Sequence, residues 1–341
     1  MDKFERYKRQ MTFEGIGEEG QKKIANSRVC IIGAGALGSV IANNLCRAGV
    51  GFIRIIDRDI VEKVNLHRQI LFTEFDAEEG LPKAIASYNH LIQINSEIEI
   101  EPIVADVNSA NIEKFIKDVD LLLDGTDNFE TRLLMNEACH KNGVKWIYGG
   151  VLTSGGATMN FLMGENDPCF RCFMPEPPEP GSYETCSTVG VLNSITSVIA
   201  SYETSEALKI LVDAQKNISH EFLAIDTWDN SADYMVVEKV GDCPVCVQRN
   251  YELLNTPAGS YSTSICGHDA WQVVPEGEYA LDLDAIGENL KRAGDVKVTK
   301  FALSFTDEKV DFRLFPDGRA IINKIEDAAT ARSIYAEYIG I

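Results

Sequence analysis

The sequence predicts an α/β protein: a Rossmann-like, doubly wound, mostly parallel sheet with an antiparallel extension, followed by a small C-terminal α+β domain. Three observations point there. From Arg28 to about Gly150, short β-rich runs alternate with amphipathic helical stretches. The first strand-to-helix junction is glycine-rich, Gly33-Ala-Gly35-Ala-Leu-Gly38. After roughly Asn250 the texture changes to a Thr/Ser/Pro/Gly stretch and then a second, shorter run of elements.

Arg28-Val-Cys-Ile-Ile32 is apolar on both faces and reads as a buried strand, with a helix from the glycine loop through Ala48. Phe52 to Ile56 is the next strand and ends at Asp57. Ile98–Val104, Val119–Leu123 and Lys145–Tyr148 are further strands, with helices at Lys83–Ile94, Ala110–Lys117 and Glu130–Asn142. Ala157–Met163 alternates like an antiparallel strand, and Pro175–Gly181 reads as an exposed loop. Val191–Val212 returns to helical spacing, and Phe222–Asp226 and Tyr234–Glu238 close the main domain as strands. The domain is expected over 1–250, with a linker over 251–264. The small domain, 265–341, should hold a helix at Asp284–Ala293 and a closing one at Asp327–Tyr338.

At 341 residues and 45% hydrophobic, the chain can bury one large core and a smaller one. No apolar run is long enough to span a bilayer, and Met1–Gln10 lacks an apolar signal segment, so a cytoplasmic location is expected. The net charge of −20 repels polyanions, which argues against nucleic-acid and membrane partners. Nine cysteines, an odd number, suggest metal or thiol chemistry rather than a disulfide framework.

Glycines in the loop let backbone approach a phosphate, and the following helix points free N–H groups at it. Asp57 closes the next strand, 19 residues after Gly38, where a carboxylate can accept from ribose hydroxyls. These features alone specify a nucleotide, and NAD with oxidoreductase chemistry is one reading of them. None of the five histidines stands in an evident acid–base setting, which weakens that reading.

The residues that follow are more specific. The chain carries Arg6-Tyr-Lys-Arg9-Gln10, the glycine loop, Asp57-Arg-Asp59-Ile-Val-Glu-Lys-Val-Asn65-Leu-His-Arg68-Gln69, Gly80-Leu-Pro-Lys83 and Asp124-Gly-Thr-Asp127-Asn128, in that order. In these motifs it resembles the ThiF/MoeB/HesA family, relatives of the adenylation domain of ubiquitin-activating enzymes. The resemblance covers roughly residues 4 to 248. Two departures are Val64, where the family usually has Ser, and Ala36, at a position often held by Gly.

The resemblance implies an ATP-dependent adenylyltransferase with Mg²⁺ and Zn²⁺, acting as a homodimer. Its partners would be a small ubiquitin-like sulfur carrier ending in Gly-Gly and a sulfur donor enzyme. Gly33, Gly35, Ala36 and Gly38 would cradle the nucleotide, with Asp57 on the ribose. Asn65, Arg68 and Lys83 would hold phosphates, and Asp127 would coordinate Mg²⁺ with Asn128 and Arg132 beside it. Arg9 would reach the γ-phosphate in the other subunit. Asp124 stands apart as a residue that simply caps its turn. Such residue types suit the chemistry: a carboxylate meeting the α-phosphorus needs positioning, and the departing pyrophosphate needs cationic stabilisation.

Cys169-Phe-Arg-Cys172 and Cys243-Pro-Val-Cys246 can supply four thiolates to one tetrahedral ion; two redox pairs or four free thiols are other readings. The resemblance favours structural zinc. Cys186 follows the Pro-rich loop, where related enzymes can link covalently to the activated carrier; a bystander thiol is the alternative. Cys30, Cys46 and Cys139 sit on apolar faces and read as core, and Cys266 is assigned nothing. Ile265-Cys-Gly-His-Asp-Ala-Trp-Gln-Val and Leu314-Phe-Pro-Asp-Gly-Arg-Ala resemble the tail of longer, Bacillus-type family members. That implies thiamine thiazole biosynthesis; a MoaD-like carrier or a ubiquitin-like modifier is the alternative.

Overall fold

A computed structural model describes residues 4–176, 184, 186–256, 261–264, 270–275, 277, 279–325 and 327–340. The chain forms two compact units, Met1–Thr256 and Pro257–Ile341.

The first unit is built on eight strands: β1 (Arg28–Ile32), β2 (Phe52–Asp57), β3 (Glu99–Val104), β4 (Leu121–Asp124), β5 (Lys145–Leu152), β6 (Gly155–Phe161), β7 (Glu221–Asp226) and β8 (Ser231–Val236). Their order is β3-β2-β1-β4-β5-β6-β7-β8, parallel from β3 to β5 and antiparallel beyond. Alternation along the strands divides the core between two faces. Val29, Ile31, Ile53, Ile55, Leu121 and Leu123 pack with the Ala36–Ala48 and Asn193–Val212 helices. Cys30, Ile32, Ile56, Leu122 and Trp146 pack with Leu134, Met135 and Ala138 of the Phe129–Asn142 helix on the other side. Cys30, Cys46 and Cys139 are core residues, as their apolar settings suggest.

The chain runs outward from β1 through β2 to β3, then returns to place β4 on β1's other flank. That reversal opens a crevice at the carboxyl ends of β1 and β4, the ligand position of doubly wound sheets. The helix through Ala48 ends as its sequence requires: Gly49 adopts φ 83 and its N–H bonds to the Leu45 and Cys46 carbonyls.

Several boundaries differ from the sequence pattern. Strand β5 continues through Gly149 and Gly150 to Leu152, because antiparallel pairing with β6 outweighs the low strand preference of glycine. The Ala110–Lys117 helix shrinks to Ile112–Phe115. Strand β8 starts three residues earlier than expected, in register with β7 from Asp226↔Ser231. Tyr261–Ser264, read as linker, instead form a strand. The Pro-rich loop from 177 onward, and Ile265 to Asp269 with Cys266, lie outside the described residues.

The second unit is an antiparallel sheet. Its strands are β9 (Tyr261–Ser264), β10 (Ala270–Val274), β11 (Asp295–Val298), β12 (Leu303–Thr306), β13 (Asp311–Leu314) and β14 (Ala320–Asn323). They run in the order β11-β12-β13-β14-β10-β9. Phe305, Phe312, Leu314 and Ile322 form its core with Leu290 of the Leu283–Leu290 helix and Tyr335 of the Ala328–Tyr338 helix. No described helix is long and apolar enough to cross a membrane.

Candidate active site

Two loops meet at the crevice, and glycine makes the meeting possible. Gly33 adopts φ 91, and a Cβ there would lie 2.4 Å from the Gly125 carbonyl oxygen. A Cβ on Gly125 would lie 2.2 Å from the Gly33 carbonyl oxygen, and one on Gly38 only 1.8 Å from it. The loop after β1 is thus wedged against the loop after β4, backbone on backbone. Gly33 and Gly38 are legible from the sequence motif, whereas Gly125 is not, because its constraint comes from a strand nearly a hundred residues away. Gly125→Ala is expected to cost about 1–3 kcal/mol and to weaken ATP binding; thermal unfolding and nucleotide titration check both.

Asp57 is buried, and its two carboxylate oxygens accept from the N–H groups of Ala34 and Asp59, each at 2.7 Å. Burial raises its pKa above the ordinary carboxylate value, and Lys83 opposes that shift. The carboxylate therefore braces the glycine loop as well as offering its remaining lone pairs to the crevice. Lys83, 7% exposed at the start of the Lys83–Ile94 helix, donates to Asp59 at 3.0 Å. Burial alone would depress its ammonium, but Asp59 and Asp57 outweigh that and raise it, so the lysine stays charged. Arg58, not singled out by sequence, pairs with Asp106 at 2.8 Å and lies in the field of Asp127.

Between these elements, the Lys63–Asn65 turn presents Asn65, half-buried, with Arg68 on the following turn. The Arg68 guanidinium makes no hydrogen bond or ion pair among the described residues, although its field reaches Cys186. Gln69 beside it is 4% exposed, with its Oε1 unpartnered. A Cβ on Gly35 would come within 3.9 Å of its Nε2, which places Gln69 against the glycine loop. An orphaned buried acceptor of this kind suits a bound donor.

Asp124 ends β4 and holds the next turn: it accepts from the Thr126 N–H at 2.8 Å and hydroxyl at 2.6 Å. Arg132, 5% exposed, donates Nε to Asp124 and a terminal NH₂ to the carbonyls of Thr126 and Gly149, all at 2.8 Å. Arg132 clamps the turn from below, a use of its donors that the sequence does not disclose. Asn128 caps the Phe129–Asn142 helix by accepting from the Thr131 N–H at 2.9 Å. Asp127 stands at the crest of the turn, exposed and without a hydrogen-bond partner among the described residues. Its charge acts on Arg58, Lys83, Arg132 and Cys186, so residues from four separate segments converge on it.

Cys186 begins the helical turn Cys186–Val189, and its thiol contacts the Val151 carbonyl at 3.5 Å. It is half-buried, and burial together with Asp127 pushes its thiol above the ordinary range against Arg68 and Arg132. The resting group is therefore a thiol, not the acidic thiolate that an exposed helix start would suggest.

Arg9 is exposed on the Lys8–Thr12 helix, whose neighbours pin it. Tyr7 packs on Gly49 and its hydroxyl accepts from Asn95 at 2.8 Å, while Gln10 donates to the Ala48 carbonyl at 2.9 Å.

A separate cluster joins Cys169, Cys172, Cys243 and Cys246, with all four sulfurs within 4.8 Å of one another. The sulfur pairs Cys169–Cys243 and Cys172–Cys246 are 3.6 and 3.4 Å apart. Sulfurs about 2.3 Å from one tetrahedral ion lie about 3.8 Å apart, so the set fits such an ion. Asn136 and the Val240 N–H donate to Cys169 and Cys172 at 3.6 and 3.4 Å, as donors around metal-bound thiolates do.

Cations and one bare carboxylate gathered around a glycine loop suit a phosphate-bearing nucleotide, the kind of substrate an adenylyltransferase takes. The chain belongs to the ThiF family, whose pattern matches residues 7–245. It is 36% identical to the sulfur carrier protein ThiS adenylyltransferase of Bacillus subtilis, over 98% of this chain and 99% of that one. It is 33% identical to the SAMP-activating enzyme E1 of Haloferax volcanii, over 71% of this chain and 88% of that one. Among solved structures it is similar to E. coli MccB with ATP, with TM-score 0.62 and 21% identity, covering 71% of this chain and 74% of that one. That last likeness is one of fold.

Proposed function

We propose that the protein uses ATP to adenylylate the C-terminal glycine carboxylate of a ThiS-like, ubiquitin-like sulfur carrier, in the cytoplasm and for thiamine thiazole synthesis. The observation that carries this reading is the likeness to the Bacillus ThiS adenylyltransferase across 98% of the chain, which takes in the second unit as well as the crevice. A carboxylate oxygen of the carrier attacks the α-phosphorus, the bond to the bridging oxygen breaks, and pyrophosphate leaves, giving an acyl-adenylate. The carrier's carboxylate is already ionised at neutral pH, so no general base is required.

The chain's residues divide the work. The glycine loop, Gly33, Gly35, Ala36 and Gly38, would carry the phosphates through the free N–H groups at the start of the Ala36–Ala48 helix. The Gly33 and Ala34 N–H groups are committed to Ile56 and Asp57, and Asp57 would receive the ribose. Lys83 has spent one of its three donors on Asp59 and keeps two for phosphate, beside Asn65 and Arg68. Asp127, with Asn128 and Arg132 fixing its turn, would hold Mg²⁺, which neutralises charge on the departing group when bound. Cys169, Cys172, Cys243 and Cys246 would hold a zinc ion in a closed, structural site. Cys186 would act after adenylation, its sulfur bonding to the acyl carbon as AMP leaves, with its proton passing to a base from solvent or the sulfur donor enzyme.

Geometry supports a homodimer in which Arg9 serves the partner. Gln10 is tied to Ala48, at the far end of the 13-residue helix that starts at the glycine loop. That helix is about 20 Å long, beyond an arginine's reach. Arg9→Ala and Lys83→Ala should each lose most pyrophosphate exchange, and mixing the two should restore up to about a quarter of it, the share of sites intact by random pairing. Absence of rescue after subunit exchange would count against shared sites.

The reading as a whole is tested by ATP–pyrophosphate exchange with purified ThiS-like and MoaD-like carriers, each with and without its last glycine. Exchange that needs a ThiS-like carrier and its terminal glycine is expected. The likeness to the SAMP-activating enzyme supports the second reading, activation of a modifier, and exchange with such a protein alone would replace the first.

A further inference from the structure

Glu203 lies in the middle of the Asn193–Val212 helix with no exposed surface, and neither of its carboxyl oxygens has a partner. It presses on β5: a Cβ on Gly149 would lie 2.0 Å from its Oε1 and 2.5 Å from its Cδ. The Gly149 carbonyl it presses beside is the one that accepts from Arg132, and Arg132 in turn holds Asp124 and Thr126. An ionised carboxylate without a donor is costly to bury, whereas a carboxylic acid is tolerated. We infer that Glu203 is a positioning residue that works as the neutral acid: uncharged, it leaves Arg132 to Asp124, Thr126 and Gly149, and ionised, it competes with Asp124 for that guanidinium and loosens the turn bearing Asp127.

The charges around it are few. Asp124 on β4 opposes its ionisation, Arg132 on the Phe129–Asn142 helix favours it, and burial, the largest influence, holds its ionisation well above the carboxylate range. The Tyr148 phenol on β5 shares the cluster, in contact with the fields of Arg132, Asp124 and Glu203. Strand β6 contributes no titratable side chain, the Ala36–Ala48 helix only Cys46 and Arg47, and the Gly17–Asn26 helix Glu18, Glu19, Lys22 and Lys23, none of which is among the influences on Glu203. A carboxyl whose folded ionisation is raised contributes fully below its unfolded value, about 4.3, and that contribution drains away as pH climbs toward the folded value. Wild-type stability should therefore fall relative to Glu203→Gln as pH rises above about 4.3.

Hydrogen exchange over residues 121–132, corrected for intrinsic base catalysis, is compared between wild type and E203Q from about pH 6 to about pH 9.5, with Mg-ATP titrations in parallel. Wild type should lose protection of the turn by up to about tenfold per pH unit as pH climbs toward the folded ionisation and level off above it, while E203Q stays flat. A purely structural role would shift both curves together. Parallel loss in the two proteins, or no loss in either, overturns the inference. Should E203Q fail to fold, Glu203→Met carries the same comparison. The Mg-ATP arm rests on the proposed role of Asp127: protection lost in wild type without loss of nucleotide affinity would uphold Glu203 and remove Asp127 from the nucleotide site.

Discussion

Asp127→Ala is expected to lower ATP–pyrophosphate exchange by on the order of 10³-fold while moving the melting temperature by no more than about 2 °C. The two halves of that expectation come from one fact. Asp127 is exposed and bonds to nothing among the described residues, so the fold draws no support from it, whereas four charged or reactive side chains lie in its field. The neighbouring Asp124 should behave oppositely. It is fully buried and accepts from Thr126 and Arg132, and its removal strands a buried guanidinium, at a cost of about 3–5 kcal/mol. Exchange assays and thermal melts of the two variants separate a chemical carboxylate from a structural one. Retention of exchange within about tenfold in Asp127→Ala would sink the Mg²⁺ assignment.

The second large effect concerns the thiolate cluster. Elemental analysis should find one zinc per chain, and a strong chelator or Cys243→Ala should lower the melting temperature by on the order of 10 °C or more. The reason is mechanical. Cys169 and Cys172 bracket Phe170, whose ring packs on Trp146 and Phe161 with centroids 5.7 and 6.0 Å away, so the cluster anchors one end of an aromatic core. Cys243 and Cys246 belong to the segment that follows β8. Losing the ion would leave four thiols crowded within 4.8 Å and free that segment from the sheet. Protein that is metal-free as purified and melts unchanged with chelator would refute the assignment.

Local chemistry was legible where the chain itself sets it. The strand–glycine–helix junction, the carboxylate closing β2 and the paired C-x-x-C motifs each declare themselves within a few residues, and the doubly wound sheet follows from their alternation with helices. Relations between distant segments were not legible. Arg132 reads as one more cation for the nucleotide, yet its donors are committed to Asp124, Thr126 and Gly149. Gly149 and Gly150 read as the end of a strand, but pairing with β6 carries the strand past them. Cys186 reads as either a nucleophile or a bystander thiol, and its burial near Val151, which raises rather than lowers its ionisation constant, depends on a strand far away in sequence. Glu203 reads as an ordinary helix residue, since nothing nearby in sequence says that its carboxyl faces a glycine on β5.

The wedge of Gly33, Gly38 and Gly125 also constrains how this protein can change over generations. An oversized side chain in most cores is tolerated once a neighbour shrinks. Here each neighbour is already glycine and the opposing atoms are backbone, 1.8 to 2.4 Å from any added Cβ. No second substitution can make room for the first. Change in this sequence is therefore expected to spare these three positions together, because a side chain at any one of them pushes the two loops apart and no partner can shrink to compensate.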